Sequence, residues 1–376
     1  MSDSYSHVTH HSFGDNLIES IKGILVGIVL FFVSFPLLWW NEGRLDISTV
    51  AKHAVVVKPD GGGADGDGKL IAITAPLKVE GQIGDPDFLK PAAHLSLRRE
   101  VEMYAWVETK KTETKKKLGG GSDEITTYTY DKKWTSSPRD SEEFAHSEGH
   151  HNPTLGVSAR TFYADKASVG GLGFSPEEIE LPSRTPVDLH KDQVIGKGRV
   201  LGQYIYQGDG TMDAPKLGDI RISFAAVEPG KTSTLYGKRD GQTVVAYMHE
   251  GKDKLYRVLG GTHEEAIATM HGEHTTMTWI LRLVGFLMMW FGLALVLGPI
   301  NAVLDVIPFI GSTGRALTGI LLFPIALVLS GVTILISIVA HNPILLVAVV
   351  VAFAAAVAFL IKRKRDQKAA GQAKAA

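Results

Sequence analysis

Histidines offer the first chemistry. His146, Glu148, His150 and His151 crowd into one short stretch. Imidazole and carboxylate groups so close together can bind zinc, which makes His146, His150 and His151 candidate metal ligands. A second set is His263, His271 and His274, of which the last two are three apart and neighbours on one helix face. Neither set has the His-Glu-x-x-His frame, because His263-Glu264 is followed by Ile267. The competing reading of the first set is a structural turn, with His150 hydrogen-bonded beside the Pro-fixed Asn152-Pro153. That turn is the expectation, and with it no metal or other cofactor.

Other motifs fail on spacing. Gly230-Lys231-Thr232 ends like a phosphate loop, but Ala225 stands where the first glycine belongs. Gly170-Gly171-Leu172-Gly173 lacks the strand and helix that flank a dinucleotide loop, and reads as a turn. Asp60, Asp65 and Asp67 lie among glycines, yet Lys69 takes a ligand position and no closing Glu follows. A solvated loop is expected there rather than a calcium site. Arg98, Arg99, Glu100 and Glu102 share one strand, where they can hold an anion or, as expected here, build a cross-strand ion-pair network. The absence of cysteine excludes thiolate nucleophiles, disulfides and Cys-based metal sites. Basic and acidic residues balance at 39 against 40, unlike a dedicated nucleic-acid binder. No residue is assigned a catalytic role.

The elements that position these residues follow from segregation of the apolar ones. Mean hydropathy is +0.07 in a chain that is 21% charged. Residues 23–40 carry no charge and end in Trp39-Trp40, which suits an uncleaved signal anchor with an interfacial aromatic belt. Residues 277–297, 316–340 and 344–361 are three further spans for a hydrocarbon core of about 30 Å. The fold class is therefore α+β: a four-transmembrane-helix anchor with one large β-rich extracytoplasmic domain, residues 41–275, inserted between the first and second spans. Residues 1–22 are expected as a cytoplasmic segment and 298–315, with Asp305, as a cytoplasmic interfacial or re-entrant loop. The basic tail, 362–376, fixes the cytoplasmic side by the positive-inside rule. Arg282, near the start of its span, is expected to snorkel to the outer interface.

Alternation inside the domain marks strands at 69–79, 95–107, 125–134, 160–164, 199–206, 220–227, 243–248 and 255–258. The Lys- and Gly-rich stretch 110–124 reads as a protruding loop, and 263–274 as a helix leading into the second span. Gly23 and Gly27 form a small face on the first span for close helix packing, against the Ala-rich fourth span or a second copy.

Several short motifs resemble the LUMA family, transmembrane protein 43, in order and placement. They are Asn41-Glu42-Gly43-Arg44, Leu97-Arg98-Arg99, Trp106-Val107-Glu108, Tyr128-x-Tyr130 with Trp134, Gly149-His150-x-Asn152-Pro153, Gly218-Asp219-x-Arg221 and Leu281-Arg282. On these positions the resemblance gives structural roles to Arg44, Arg98, Arg99, Trp106, Trp134, His150, Asn152, Arg221 and Arg282. It implies a multipass protein of the endoplasmic reticulum and inner nuclear membrane in animals, self-associating and contacting emerin and lamins. Bacterial relatives would sit in the inner membrane with a periplasmic domain, and the cysteine-free, Ala/Gly-rich composition leans to such a source. Residues 109–124, 60–68 and 165–200 depart from the family pattern. The resulting expectation is a membrane organiser or scaffold, with membrane lipids, itself and unidentified proteins as partners, and no nucleic acid. The alternatives are a membrane-associated enzyme or lipid-handling protein and, behind that, a channel component.

Overall fold

Strict alternation makes Ile220–Val227 a half-buried strand, with Ile222, Phe224 and Ala226 facing a core and Arg221 and Ser223 facing away. The same rule builds most of the β-rich part of the computed structural model, which describes residues 3–60, 66–117, 121–300 and 310–373. Seven strands are used below: β1 (Asp3–His11), β2 (Leu70–Glu80), β3 (Ser96–Lys116), β4 (Ser122–Thr135), β5 (Tyr204–Gln207), β6 (Ile220–Val227) and β7 (Thr232–Asp240). An eight-stranded sheet runs in the order β1, β4, β3, β6, β5 and Arg199–Leu201, with Thr185–Pro186 on β6 and Arg160–Tyr163 on β3. In the second sheet β2, β7, Thr243–Val245, Leu172–Phe174 and Lys166–Val169 pair in a closed ring. Ile71, Ile73, Leu172, Leu235 and Val258 form its core.

The chain divides into two units. The β-rich unit takes residues up to 9, 46–114 and 124–274; the helical unit takes 10–45, 115–123 and 275 onward. The helices used below are α1 (Phe13–Glu42), α2 (Ile47–Ala51), α3 (His263–Val296), α4 (Ile310–His341) and α5 (Pro343–Ala373). Ser12 and Asp15 form a capping box that starts α1 ten residues ahead of the apolar run. Thr262 and Glu265 do the same for α3, which runs unbroken from the expected 263–274 helix through the second apolar stretch. Asn342 alone separates α4 from α5, its carboxamide oxygen accepting from the amides of Ile344 and Leu345. The helical unit is centred on Leu38, Met289 and Ala326, all fully buried.

Among the described residues three helices are long and apolar enough to cross a membrane: the α1 region, α3 and Gly319–His341 of α4. The fourth apolar helix, Pro343–Val357, is shorter.

Several expectations need correction. Residues 1–22 are not a segment apart: β1 adds to the edge of β4 in the large sheet. Stretch 110–124 is not a long loop, because β3 continues to Lys116 and β4 begins at Ser122. Threonines and charges of both signs suit a two-sided exposed ribbon, as the Thr112–Thr126 hydroxyl contact (3.3 Å) and the Lys111–Glu113 pair (2.6 Å) illustrate. Stretch 199–206 is a hairpin, because Gly202 at φ +61° turns the chain between Leu201 and Tyr204. The basic tail is helical through Ala373, as its Lys, Arg, Gln and Ala content favours. Asp305, with the rest of 301–309, and Asp65 lie outside the described residues; of the expected loop 298–315, residues 298–300 are helical and those from Ile310 open α4.

Candidate functional site

Trp106 and Glu108, even residues of β3, sit at the centre of a packed cluster in the β-rich unit. Trp106 (9% exposed), Tyr130 and Phe144 pack as one apolar group above the sheet. Asn152 ties the following loop to that group by imitating a strand partner. Its side-chain oxygen accepts from the Trp106 amide (2.7 Å), and its nitrogen donates to the carbonyls of Trp106 (3.0 Å) and Arg139 (3.1 Å). Glu108 accepts from the Tyr130 hydroxyl (2.6 Å) and the Ala145 amide (2.7 Å). Burial, with this bond to Glu108 second, pushes the Tyr130 phenol up to about 12.

His150 is 1% exposed. Its Nδ1 lies 3.0 Å from the His146 carbonyl, so that nitrogen carries the proton and donates. The ring stacks on Tyr130 at 4.1 Å and stands edge-on to Trp106 at 4.7 Å. Nε2 is 3.4 Å from the Asp3 carboxylate on β1. His146 stacks instead on Tyr5 at 4.4 Å, and His151 is exposed. Among the described residues no three His, Asp or Glu side chains gather at metal-binding distance. The histidine loop is thus a clasp that holds residues 139–152 and β1 on the sheet.

The arginines of β3 separate by alternation. Arg99 is 5% exposed and faces inward, its Nη1 between Asp85 (2.8 Å) and Asp87 (3.3 Å) and its Nε donating to the Ser158 carbonyl. Arg98 faces outward and pairs loosely with Glu100 at 3.4 Å. Arg221 sits opposite Glu102 in the β6–β3 register and bonds it at 2.6 Å. The Arg221 guanidinium lies between the rings of Trp134 (4.7 Å) and Tyr204 (4.8 Å). The single expected network is therefore two, one on each face of the strand.

The sequence motif Gly218-Asp219-x-Arg221 contains the anchor of the 208–218 loop, but the motif assigns no role to Asp219. Asp219, 3% exposed, accepts from the Tyr206 hydroxyl and from the amides of Asp209, Gly210 and Lys216. Its signal was the carboxylate directly after Gly218, a turn glycine at φ +89°.

In the helical unit the polar side chains converge where the apolar runs of α1 and α3 end. Arg282 does not simply snorkel. It forms a two-point bond to Glu42 (2.8 and 2.7 Å), whose side chain is 4% exposed, and lies over the Trp279 ring. Asn41 donates to the Thr278 carbonyl (3.1 Å), and Arg44 to the Thr278 hydroxyl (3.0 Å). At Gly27 the backbones of α1 and α3 approach closely: a Cβ there would meet the Gly292 carbonyl of α3 at 2.7 Å. Within the chain the small face thus meets α3 rather than the fourth apolar helix. Gly23 has only ordinary contact, with Leu295 at 3.8 Å.

Residues 103–343 match the model of a family described as Transmembrane protein 43. The chain is 28% identical over 317 residues to Transmembrane protein 43 of Rattus norvegicus, covering 79% of this chain and 78% of that one. It is 27% identical over 322 residues to the Homo sapiens protein, with the same coverage. It is 27% identical over 293 residues to the Transmembrane protein 43 homolog of Drosophila melanogaster, covering 71% and 74%. These relatives are animal proteins, and the expected bacterial source is not borne out by them. No solved structure matches.

Proposed function

The chain belongs to the transmembrane protein 43 family of membrane proteins, and from that premise we propose that it is a multipass membrane organiser. In this reading it binds partner proteins and further copies of itself through its apolar helices and its β-rich domain. The observation that carries the reading is the state of α5. Every position of its apolar part with a described side chain, from Ile344 to Val357, is exposed. A helix so apolar on all sides needs lipid or other helices around it. The polar groups of the β-rich unit point the same way, since Glu108, Arg99, Asp219 and His150 are engaged in holding loops and strands.

The proposed layout has crossings at α3, α4 and α5, with α1 a fourth crossing only where β1 leaves β4, residues 41–275 outside the cytoplasm and the Lys362–Arg365 end inside. For an animal cell we propose, on the family resemblance alone, the endoplasmic reticulum and inner nuclear membrane, with emerin and lamins as partners. In a bacterium the layout places the domain in the periplasm. Strand β1 is the feature such a layout must accommodate, because it pairs with β4 while α1 follows it directly. A cysteine at Ser4 decides the matter in sealed vesicles. Labelling from the side of the basic helix end supports four crossings. Labelling from the domain side leaves three, α3 to α5, which still separate domain and basic end.

The organiser role is tested by purifying the full chain in mild detergent and measuring its mass and its co-purifying proteins. Leu346 and Val350 lie on one face of α5. Charged residues in their place should dissociate partners or copies while the β-rich unit stays folded. A monomer without reproducible partners, unchanged by those substitutions, would sink the proposal.

A further inference from the structure

Between α1 and α4 the helical unit leaves an open groove. It has a volume of about 470 Å³ and is walled by Phe35, Pro36 and Trp39 of α1 and by Leu329, Val332, Thr333 and Ile336 of α4. That size is within the range of small-molecule sites. Trp39, Val332 and Ile336 are about half exposed, so the walls face whatever surrounds the helices. The groove begins at Trp39, just before the polar residues Asn41, Glu42 and Arg44, and runs inward past Phe35. The wall from Leu329 to Ile336 rises roughly 10 Å. It therefore stays within one half of a hydrocarbon core of about 30 Å.

The walls are apolar and stiff. The Thr333 hydroxyl donates to the Leu329 carbonyl (2.7 Å), so it is spent within its own helix. Val332, Thr333 and Ile336 are β-branched, with little freedom at χ1 in a helix, and the Pro36 ring is rigid. The shape is thus set before anything enters. One polar group remains, the indole of Trp39. Its ring lies against His341 (4.9 Å), and its carbonyl accepts from the Ser337 hydroxyl (3.1 Å), which ties α1 to α4 at the mouth. The indole N–H is a donor only, and it takes no acceptor among the described residues.

We propose that this groove is a lipid site that holds one acyl chain of a bilayer glycerophospholipid, with the ester carbonyl of that chain accepting from the Trp39 indole. Methylenes match the walls. An ester carbonyl brings an acceptor and no donor to a donor-only ring, at the depth where the polar residues begin. A sterol hydroxyl brings a donor as well, and the Thr333 hydroxyl is already turned to its own helix. A neighbouring helix is about 10–12 Å across, so 10 Å of its length takes up roughly 800 Å³. That is more than the groove holds. This inference rests on the membrane placement of the apolar helices and not on the organiser role.

The test reconstitutes the full chain in phosphatidylcholine vesicles doped with a phosphatidylcholine that carries a diazirine on one acyl chain. A parallel sample carries a diazirine sterol. After illumination the adducts are located by digestion and mass spectrometry. The phospholipid adducts should concentrate on 35–39 and 329–336, about fivefold or more above the exposed stretch 344–352 of α5, with no such preference from the sterol. Val332→Trp fills the groove and should lower labelling of 35–39 about fivefold. Leu335→Trp adds bulk at an exposed position outside the groove and should not. Trp39→Phe keeps a ring without the N–H and should lower labelling about two- to tenfold. All three positions are exposed, and matching thermal transitions show that the variants are folded. Even labelling of groove and α5, equal loss in the two tryptophan-insertion variants, no loss in Trp39→Phe, or preferential labelling by the sterol would overturn it.

Discussion

Arg99 and Arg282 are both largely buried arginines with carboxylate partners, yet they solve different problems. Arg99 belongs to the β-rich unit, where apolar side chains already leave water by packing, and its bonds to Asp85, Asp87 and Ser158 pin loops onto a formed sheet. Arg282 belongs to the helical unit, where lipid is as apolar as leucine and burying leucine gains little. There cohesion comes from what side chains leave out, at Gly27 and Gly292, and from one directed pair, Arg282–Glu42. The lesson concerns the solvent: one unit is held by exclusion from water, the other by close backbone approach and a few polar contacts.

Breaking the pair in the helical unit should have the largest effect. Arg282→Ala leaves Glu42 buried and uncompensated, at a cost of about 3–5 kcal/mol. Thermal unfolding in detergent should show the loss, and the double variant Glu42→Leu with Arg282→Leu should recover most of it. If the single and double variants are equally unstable, the pair is not what matters.

Trp106→Ala should cost about 3–5 kcal/mol in the other unit, through the cavity left against Tyr130 and Phe144. Chemical denaturation followed by tryptophan fluorescence, with Phe as a milder replacement, measures it. Asn152→Ala removes three hydrogen bonds from the same cluster and should cost about 1–3 kcal/mol. Its distinguishing sign is faster hydrogen exchange at the Trp106 amide.

The two glycines of α1 sharpen the contrast further. Gly27→Ala forces a clash with the Gly292 backbone and should destabilise the helical unit by about 1–3 kcal/mol. Gly23→Ala meets no such obstacle and should be neutral or stabilising by up to about 1 kcal/mol, from helix propensity. Equal effects at both positions would remove the close crossing from the account.

The smallest expected effect is a pH dependence. Tyr130 has a folded-state pKa raised above its ordinary 10.0. Its phenol stays protonated in the native state while the unfolded chain ionises, so stability falls as pH rises above about 10. Tyr130→Phe should flatten that part of the alkaline profile of the β-rich unit.

Much of this was legible in residue order. Alternation located β2, β6 and the core of β3, and the charge-free runs located the helices. Family-type motifs pointed to Arg99, Asn152, Arg221 and Arg282. What they could not supply was the partner of each. Asp85 and Glu42 become partners only through the tertiary fold, and Asp219 hid in an ordinary turn. The 110–124 stretch misled because its Lys, Thr and Glu content resembles a loop, whereas a two-sided exposed ribbon needs no apolar alternation. The strand Asp3–His11 misled for the same reason, since all but its last residue are exposed. Gly27 was identified, but its partner was not, because small residues occur on several helices.

That first strand has a practical consequence. It lies on the rim of the eight-stranded sheet and covers the main-chain donors and acceptors of Ser122–Thr135. A chain trimmed of its first eleven residues would present that rim bare, as a template for any extended peptide nearby. Shortened preparations of the domain should therefore clump or capture stray strands during expression. The opening residues serve as a guard rail for the sheet as well as a lead-in to the first helix.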